Sequence, residues 1–178
     1  MAVGDSLRER GIASKLAIYG GSAGGLLIGA VVNDRPELFD VAVADVPFVD
    51  VLNTMLDETL PLTVVEWEEW GNPITGAKEY GWIAEYSPYD NIKDANYPPI
   101  MATGGLTDYR VTYWEPTKWI ARLRDEATGG PFVLRMNMGA GHGGSAARFE
   151  RLEERAHLYA FALRVWGYED ATPVKHTK

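Results

Sequence analysis

Residues 16–32 read Leu-Ala-Ile-Tyr-Gly-Gly-Ser-Ala-Gly-Gly-Leu-Leu-Ile-Gly-Ala-Val-Val, and this stretch decides the fold. A short apolar run leads into Gly20-Gly21-Ser22-Ala23-Gly24, and a longer apolar run follows. A buried strand, a serine flanked by glycines two positions away and then a helix form the context of a nucleophile elbow. We expect side chains at positions 20 and 24 to collide, so that both must be glycine. The predicted result is the Ser22 hydroxyl exposed above a sheet, at the start of a helix.

Composition narrows the class of protein. The chain has 178 residues, of which 46% are hydrophobic and 24% charged, as expected for one globular domain with a core. It has no cysteine, which excludes disulfides, thiolate metal sites and a cysteine nucleophile. The net charge of −8 disfavours nucleic acid as a partner, and solubility alone is its plainest explanation.

The chain shows neither a targeting segment nor a membrane segment. Residues 1–11 lack the apolar core of a signal peptide. No apolar stretch approaches the ~20 residues that a membrane helix needs. We therefore expect a cytoplasmic protein.

Strands and helices are predicted to alternate along the chain. Alternation of this kind indicates βαβ units, and hence an α/β fold with a parallel sheet and helices on both faces. In 145–166 the apolar positions recur at helical spacing. The predicted strands are 15–19, 41–46, 100–105 and 132–137; the predicted helices are 5–11 (the tail of a helix), 23–34, 50–60, 112–126 and 145–166; 61–99 is a long excursion with one helix near 77–85, and the last ten residues form a frayed tail.

A serine nucleophile needs a base, and the sequence offers three histidines. His142 lies in a glycine-rich loop directly after the fourth predicted strand, where it can reach a serine at the same edge of the sheet. His157 lies inside a predicted helix and His176 lies in the tail, so we favour His142.

A carboxylate must hold that histidine in the correct tautomer. In doubly wound hydrolases the chain order is serine, acid, histidine. Asp108 follows the third predicted strand, which is the expected place. Asp45 and Asp50 flank the second strand and remain competitors. For the oxyanion, the N–H of Ala23 supplies one donor, and no loop upstream of the serine strand supplies a second.

Acidic and aromatic residues are interleaved near the middle of the chain. Glu66, Glu68 and Glu69 stand among Trp67 and Trp70. Such a set could line a pocket for a cationic side chain. From the residues alone, a solvated acidic face is the simpler interpretation.

Six segments together resemble the oligopeptidase B branch of the prolyl oligopeptidase family of serine peptidases. Two of them, DVPFVDVLNTMLDETLPLT and EWEEWGNP, are more specific than the serine motif. The segments are LAIYGGSAGGLLIGAVVNDRPELF (16–39), DVPFVDVLNTMLDETLPLT (45–63), EWEEWGNP (66–73), YSPYDNI (86–92), YWEPTKW (113–119) and GAGHGG (139–144).

The resemblance implies an α/β-hydrolase fold and cleavage of short peptides after Arg or Lys, without a metal or cofactor. It implies Ser22 as nucleophile, Asp108 as orienting carboxylate and His142 as base. It places the acidic pocket for the basic side chain on Glu66 and Glu68. Two further positions are implied to bind substrate: Phe48 along the basic side chain, and Arg110 on a backbone carbonyl.

The resemblance also implies what residues 1–178 leave out. We expect them to form one catalytic-domain fragment, without the family's β-propeller and without the first strands of the hydrolase sheet. The serine strand would then be a bare edge, which invites pairing with a second copy or with a complementary half. Two alternatives stay open: an esterase or acylaminoacyl peptidase of the same fold, and an inactive fragment that folds by association.

Overall fold

The computed structural model describes residues 1–168, and its centre is a parallel β-sheet. The predicted frayed tail lies outside these residues. The elements are β1 (Ala17–Gly21), β2 (Val41–Asp45), β3 (Asn96–Tyr97), β4 (Ile100–Gly105), β5 (Thr128–Gly129) and β6 (Phe132–Asn137), with α1 (Ala2–Glu9), α2 (Ala23–Asp34), α3 (Val51–Met55), α4 (Thr63–Trp70), α5 (Ala77–Tyr86), α6 (Trp114–Glu126) and α7 (Arg148–Val165).

The main sheet has the strand order β1-β2-β4-β6, and every neighbouring pair is parallel. The short strands β3 and β5 form a separate parallel pair. Within residues 1–168, β1 pairs only with β2, so the strand that leads to Ser22 is an edge. The predicted parallel sheet is confirmed.

Alternate side chains of the central strands enter two different cores, because successive residues of a strand point to opposite faces. Ala42 and Ala102 pack with Trp119 of α6 and with α2 on one face. Val43 and Met101 pack with α7 on the other face. Burial on both faces explains why β2 reads as a continuous apolar run.

Strand and helix ends differ from the prediction where the backbone changes local geometry. β1 covers 17–21 rather than 15–19 and so reaches the serine turn directly. β2 ends one residue early, because Val46 has φ 42° and its N–H donates to the Thr103 hydroxyl at 2.9 Å. α3 stops at Met55, well short of residue 60, and Asp57 then caps a turn by accepting the N–H of Thr59 at 2.9 Å.

The excursion between β2 and β4 contains a helix that the sequence analysis missed. α4 begins at Thr63, after Pro61, and ends at Gly71, whose φ of 99° suits glycine. The density of Pro, Gly and Trp in 61–99 favoured a loop, yet eight of the nine residues between these two breakers form a helix.

Helix α7 is confirmed, but its apolar stripe is not buried against the sheet. Leu152, Tyr159 and Leu163 are 59%, 62% and 42% exposed, whereas Leu158 is buried. Leu158 and Phe161 supply the contact with the sheet. The exposed stripe therefore faces away from the described fold. No helix in residues 1–168 has the length and apolarity needed to span a membrane.

Candidate active site

Ser22 occupies a strained turn between β1 and α2. Its φ of 55° and ψ of −123° lie outside the regions that non-glycine residues favour. Hydrogen bonds fix this conformation on both sides: the Ser22 N–H donates to the Asp45 carbonyl at 2.9 Å, and the Ser22 carbonyl accepts from the N–H groups of Gly25 at 2.8 Å and Phe48 at 3.1 Å. The turn is therefore the sharp strand-to-helix elbow that the motif predicts.

The two flanking glycines do not have equal roles. A Cβ on Gly20 would lie 2.3 Å from the Gly24 carbonyl oxygen, a backbone atom that cannot move without distorting the turn. A Cβ on Gly24 would meet nothing within 4 Å. The expectation that both positions must be glycine is thus wrong for Gly24, because the contact is between position 20 and the backbone of position 24.

His142 and Asp108 form a direct pair. His142 Nδ1 lies 2.7 Å from Asp108 Oδ2, and the Asp108 side chain is only 1% exposed. The other carboxylate oxygen accepts the N–H groups of Arg110 at 2.9 Å and Val111 at 3.0 Å. A buried carboxylate held in this way fixes the imidazole through Nδ1 and leaves Nε2 as the free nitrogen.

Backbone contacts join the loops that carry this pair. The N–H of Leu106 donates to the Asn137 carbonyl at 2.9 Å, and that of Thr107 to the Ala140 carbonyl at 3.2 Å. A Cβ on Gly105 would lie 2.6 Å from the Ala140 carbonyl oxygen, so the close approach requires glycine there. The two loops follow neighbouring parallel strands, which is why residues 34 positions apart meet.

No hydrogen bond joins Ser22 to His142 within residues 1–168. Among residues 1–168, the Ser22 hydroxyl makes no hydrogen bond, and Ser22 and His142 line different cavities. His142 lines the larger one, about 420 Å³, between β6, its own loop and α7. Ser22 lines a smaller cleft of about 120 Å³. In unliganded enzymes such catalytic hydrogen bonds are often long or unformed.

The competing acids and histidines have other partners. Asp45 accepts the Tyr19 hydroxyl at 3.0 Å and that of Thr103, and Asp50 pairs with Lys118. His157 shares a hydrogen bond of 2.7 Å with the Glu153 carbonyl on exposed α7. His176 lies outside the described residues. Of the rivals with described structure, Asp45 contacts the Ser22 turn through its backbone carbonyl, and none of the rival side chains is hydrogen-bonded to Ser22 or His142.

The cleft beside Ser22 contains several of the predicted substrate-binding residues. Phe48, Glu66 and Arg110 line it together with Ser22 and Ala23. Phe48 is 6% exposed, and its ring centroid lies 5.7 Å from that of Trp70. The N–H of Ala23 has no acceptor in residues 1–168 and is available to a developing negative charge.

Two of the three glutamates in 66–69, Glu66 and Glu69, line the cleft. Glu66 accepts the Trp70 indole N–H at 3.1 Å, and Glu69 also lines the cleft. Glu68 is exposed and is absent from the lining. Two residues along a helix correspond to about 200° around its axis, so Glu66 and Glu68 lie on opposite sides of α4. The role of Glu68 stays a prediction from the resemblance.

Glu115 is a third acidic residue that lines the cleft, and the sequence analysis missed it. It is fully buried at the start of α6, and burial raises its pKa to about 7. A signal was present, because position 115 shares the helix face of the buried residues Trp119 and Leu123. A carboxylate on an apolar face of this kind marks a group held by specific partners.

Comparisons with known proteins agree with this geometry. The family model described as "Prolyl oligopeptidase family" matches residues 1–169. The chain is 53% identical over 164 residues to the dipeptidyl aminopeptidase BI of Pseudoxanthomonas mexicana, covering 90% of the chain and 22% of that protein. It is 52% identical over 157 residues to protease 2 of Moraxella lacunata, covering 88% and 23%.

A solved structure shows the same architecture. Oligopeptidase B from Leishmania major superposes with a TM-score of 0.90 at 45% identity, covering 93% of this chain and 23% of that one. The fold is therefore that of an α/β-hydrolase. The chain spans less than a quarter of the length of the curated relatives cited here.

The contrast between the two glycines of the elbow is testable by substitution. Gly20→Ala should prevent the Ser22 turn from forming and should destabilise the chain, because its Cβ meets backbone at 2.3 Å. Gly24→Ala has open space and replaces a glycine inside α2, so it should raise the free energy of unfolding by up to about 1 kcal/mol. Urea unfolding followed by circular dichroism measures both, and equal destabilisation would contradict the steric argument.

Proposed function

The chain belongs to the prolyl oligopeptidase family, and from that membership we propose that it carries the catalytic residues of a serine peptidase that cleaves short peptides after Arg or Lys. The observation that supports this best is the 2.7 Å pair between His142 Nδ1 and the buried Asp108, whose loop continues into Arg110 at the cleft that Ser22 lines. Ser22 is the nucleophile, His142 the general base and Asp108 its orienting partner in this proposal.

The proposed reaction proceeds through an ester on Ser22. The Ser22 oxygen attacks the peptide carbonyl carbon, and its proton passes to His142 Nε2. The carbonyl oxygen becomes an oxyanion that the Ala23 N–H stabilises. His142 then gives the proton to the leaving amine as the C–N bond breaks. Water repeats the sequence on the ester, releasing the acid and returning the proton to Ser22.

The reaction requires His142 Nε2 within hydrogen-bond reach of the Ser22 hydroxyl. The His142 loop contains four glycines between 139 and 144, which allow a change of backbone without steric cost. The Asp108 carboxylate stabilises the imidazolium that forms. A second oxyanion donor would raise the rate further, since the loss of one such donor costs about 10²–10³ in kcat.

The proposed preference for a basic residue depends on the side chains that line the cleft. Glu66 offers a carboxylate to a guanidinium or ammonium group, which forms charge-assisted hydrogen bonds. Phe48 supplies the apolar surface for the aliphatic part of the side chain. Arg110 lies near enough to add a donor for a substrate carbonyl, as the resemblance implies.

Covalent labelling tests the catalytic assignment. We expect a fluorophosphonate to label the chain at Ser22, and Ser22→Ala to abolish the label. His142→Ala should slow labelling by about 10²-fold or more, because a positioned base contributes that much. His157→Ala is the matched histidine control and should label at the parental rate. A folded chain that takes no label would contradict the proposal.

Substrate preference tests the role of Glu66. Glu66→Gln should lower kcat/KM for an arginine ester about 10- to 100-fold, the loss of one or two hydrogen bonds to a charged group, and leave a neutral ester unchanged. Glu68→Gln, on the far side of α4, should have a smaller effect, and Glu85→Gln on α5 serves as the charge control. An equal loss for both esters would argue against a specificity role.

The same substrates separate the alternatives. An esterase or acylaminoacyl peptidase would prefer the neutral ester and would ignore Glu66→Gln. One relative is named a dipeptidyl aminopeptidase, so the products of a short Arg-containing peptide should also be examined for release of dipeptides from the amino terminus.

We further propose that residues 1–178 are one part of a hydrolase domain, and that the unpaired edge of β1 and the exposed stripe of α7 bind a complementary part or a second copy. An unpaired strand and an exposed apolar helix face are both features of association surfaces. Tyr159, 62% exposed on this stripe, is the natural site for a test.

Sedimentation measures this association. The chain should form dimers or larger species as concentration rises, and Tyr159→Lys should shift it toward monomer. Val3→Lys, a charge placed on an exposed apolar residue of α1, is the control and should leave association unchanged. A folded chain that stays monomeric at every concentration would exclude a second copy as the partner of these surfaces.

A further inference from the structure

The buried carboxylate of Glu115 contacts the wall of the cleft and not the reacting groups. Its Oε2 accepts the N–H groups of Val49 at 2.9 Å and Asp50 at 3.0 Å. Its Oε1 accepts the Thr54 hydroxyl at 2.8 Å. One side chain from α6 therefore satisfies three donors of the segment 48–55, which leads into α3 and includes it.

That segment also carries Phe48 and contacts the nucleophile turn. The Phe48 N–H donates to the Ser22 carbonyl at 3.1 Å, one residue before the pair of N–H groups that Glu115 holds. Three successive N–H groups, those of Phe48, Val49 and Asp50, are thus bound by Ser22 and Glu115. The position of the Phe48 ring relative to Ser22 depends on both anchors.

The same segment supports α4 and its acidic residue. The carbonyl of Thr54 accepts the Thr63 hydroxyl at 2.8 Å, and the carbonyl of Met55 accepts the Trp67 indole N–H at 3.1 Å. Thr63 begins α4, and Glu66 is one turn further along. Glu115 is therefore linked by hydrogen bonds to α3 and, through Thr63 and Trp67, to α4, the helix that carries Glu66.

Burying a carboxylate is costly, and an apolar residue at position 115 would avoid the cost. Neighbouring α6 residues such as Trp119 and Leu123 are fully buried and apolar. Instead of an apolar contact, the Glu115 carboxylate makes three hydrogen bonds. Because hydrogen bonds are directional, they fix the segment that carries the three donors in one arrangement. A buried carboxylate with all its hydrogen bonds formed fixes the geometry of its partners more than it stabilises the fold.

We propose that Glu115 is the positioning residue of the specificity pocket, and that its carboxylate holds Phe48 and, through Thr54 and Thr63, the acidic helix α4 in the geometry that binds a basic side chain. This inference rests on the proposed function for the identity of the pocket. It adds a residue that touches no substrate yet sets the affinity for one.

The carboxylate also adds a titratable charge close to the pocket. Other charged residues lie around the Glu115 side chain. They are Asp50 in the wall, Lys118 on α6, Glu66 and Glu69 on α4, and Arg110. Desolvation raises the Glu115 pKa to about 7, with Asp50 contributing in the same direction. Glu115 therefore ionises as pH rises from 6 to 8, and both its acceptor strength and its attraction for a cation increase.

Benzamidine binding is the test, because it reports on the pocket without requiring catalysis. We expect Glu115→Ala to raise the Kd of benzamidine at least about tenfold, through the loss of charged hydrogen bonds in the wall. Glu115→Gln keeps an acceptor for Val49 and Asp50 and should stay within about threefold. Leu123→Ala, a buried truncation about two turns along α6, should change Kd by less than about twofold.

A pH series gives a readout that a purely structural role would not change. Benzamidine should bind the parent about fivefold more tightly at pH 8 than at pH 6, and Glu115→Gln should lose most of that difference. Groups that do not interact with Glu115 are common to both proteins, so the comparison reports on Glu115 together with its neighbour Asp50. Glu115→Gln also remains informative if Glu115→Ala fails to fold.

The outcomes distinguish this inference from the proposed function. Absence of the Ser22 label together with weakened benzamidine binding in Glu115→Ala would remove the peptidase assignment and keep the positioning role. Labelling of Ser22 with unchanged Kd values in both Glu115 variants would overturn the positioning role. A parent chain that binds no benzamidine would overturn it as well.

Discussion

The backbone of Ser22 is the constraint on which the site depends. A positive φ at a non-glycine residue is unfavourable, by about 1–3 kcal/mol, and persists only where the surroundings fix it. Here the Asp45 carbonyl, the first turn of α2 and the Phe48 N–H fix it. These partners belong to β2, α2 and the wall of the cleft. β2, α2 and the wall of the cleft are therefore all hydrogen-bonded to the backbone of Ser22.

Much of the architecture could be predicted from the sequence because its signals are local. An apolar run followed by a glycine-flanked serine specifies strand, turn and helix within residues 16–32, and loops after neighbouring parallel strands must meet at one edge of a sheet. The pairing of Asp108 with His142 follows from that rule. The identity of the family needed the specific segments at 45–63 and 66–73.

What the sequence analysis missed depends on contacts between distant elements. α4 lies between two helix breakers in a stretch whose composition favours a loop, and only its packing against α3 reveals it as a helix. The side of α4 that carries each glutamate follows from that helix, so Glu69 and Glu68 could not be distinguished beforehand. The acceptor role of Glu115 is fixed by donors more than sixty residues away.

The crossover between β2 and β4 has a consequence for how this protein can diversify. Residues 51–86 contribute the helices α3, α4 and α5, while Ser22, Asp108 and His142 lie outside that interval. The part of the cleft that α4 supplies can therefore change by replacement within this interval, provided that the incoming segment still offers the Thr54 hydroxyl, or an equivalent donor, to Glu115 of α6. Phe48 and Arg110 would stay in place, because they belong to the segments on either side of it.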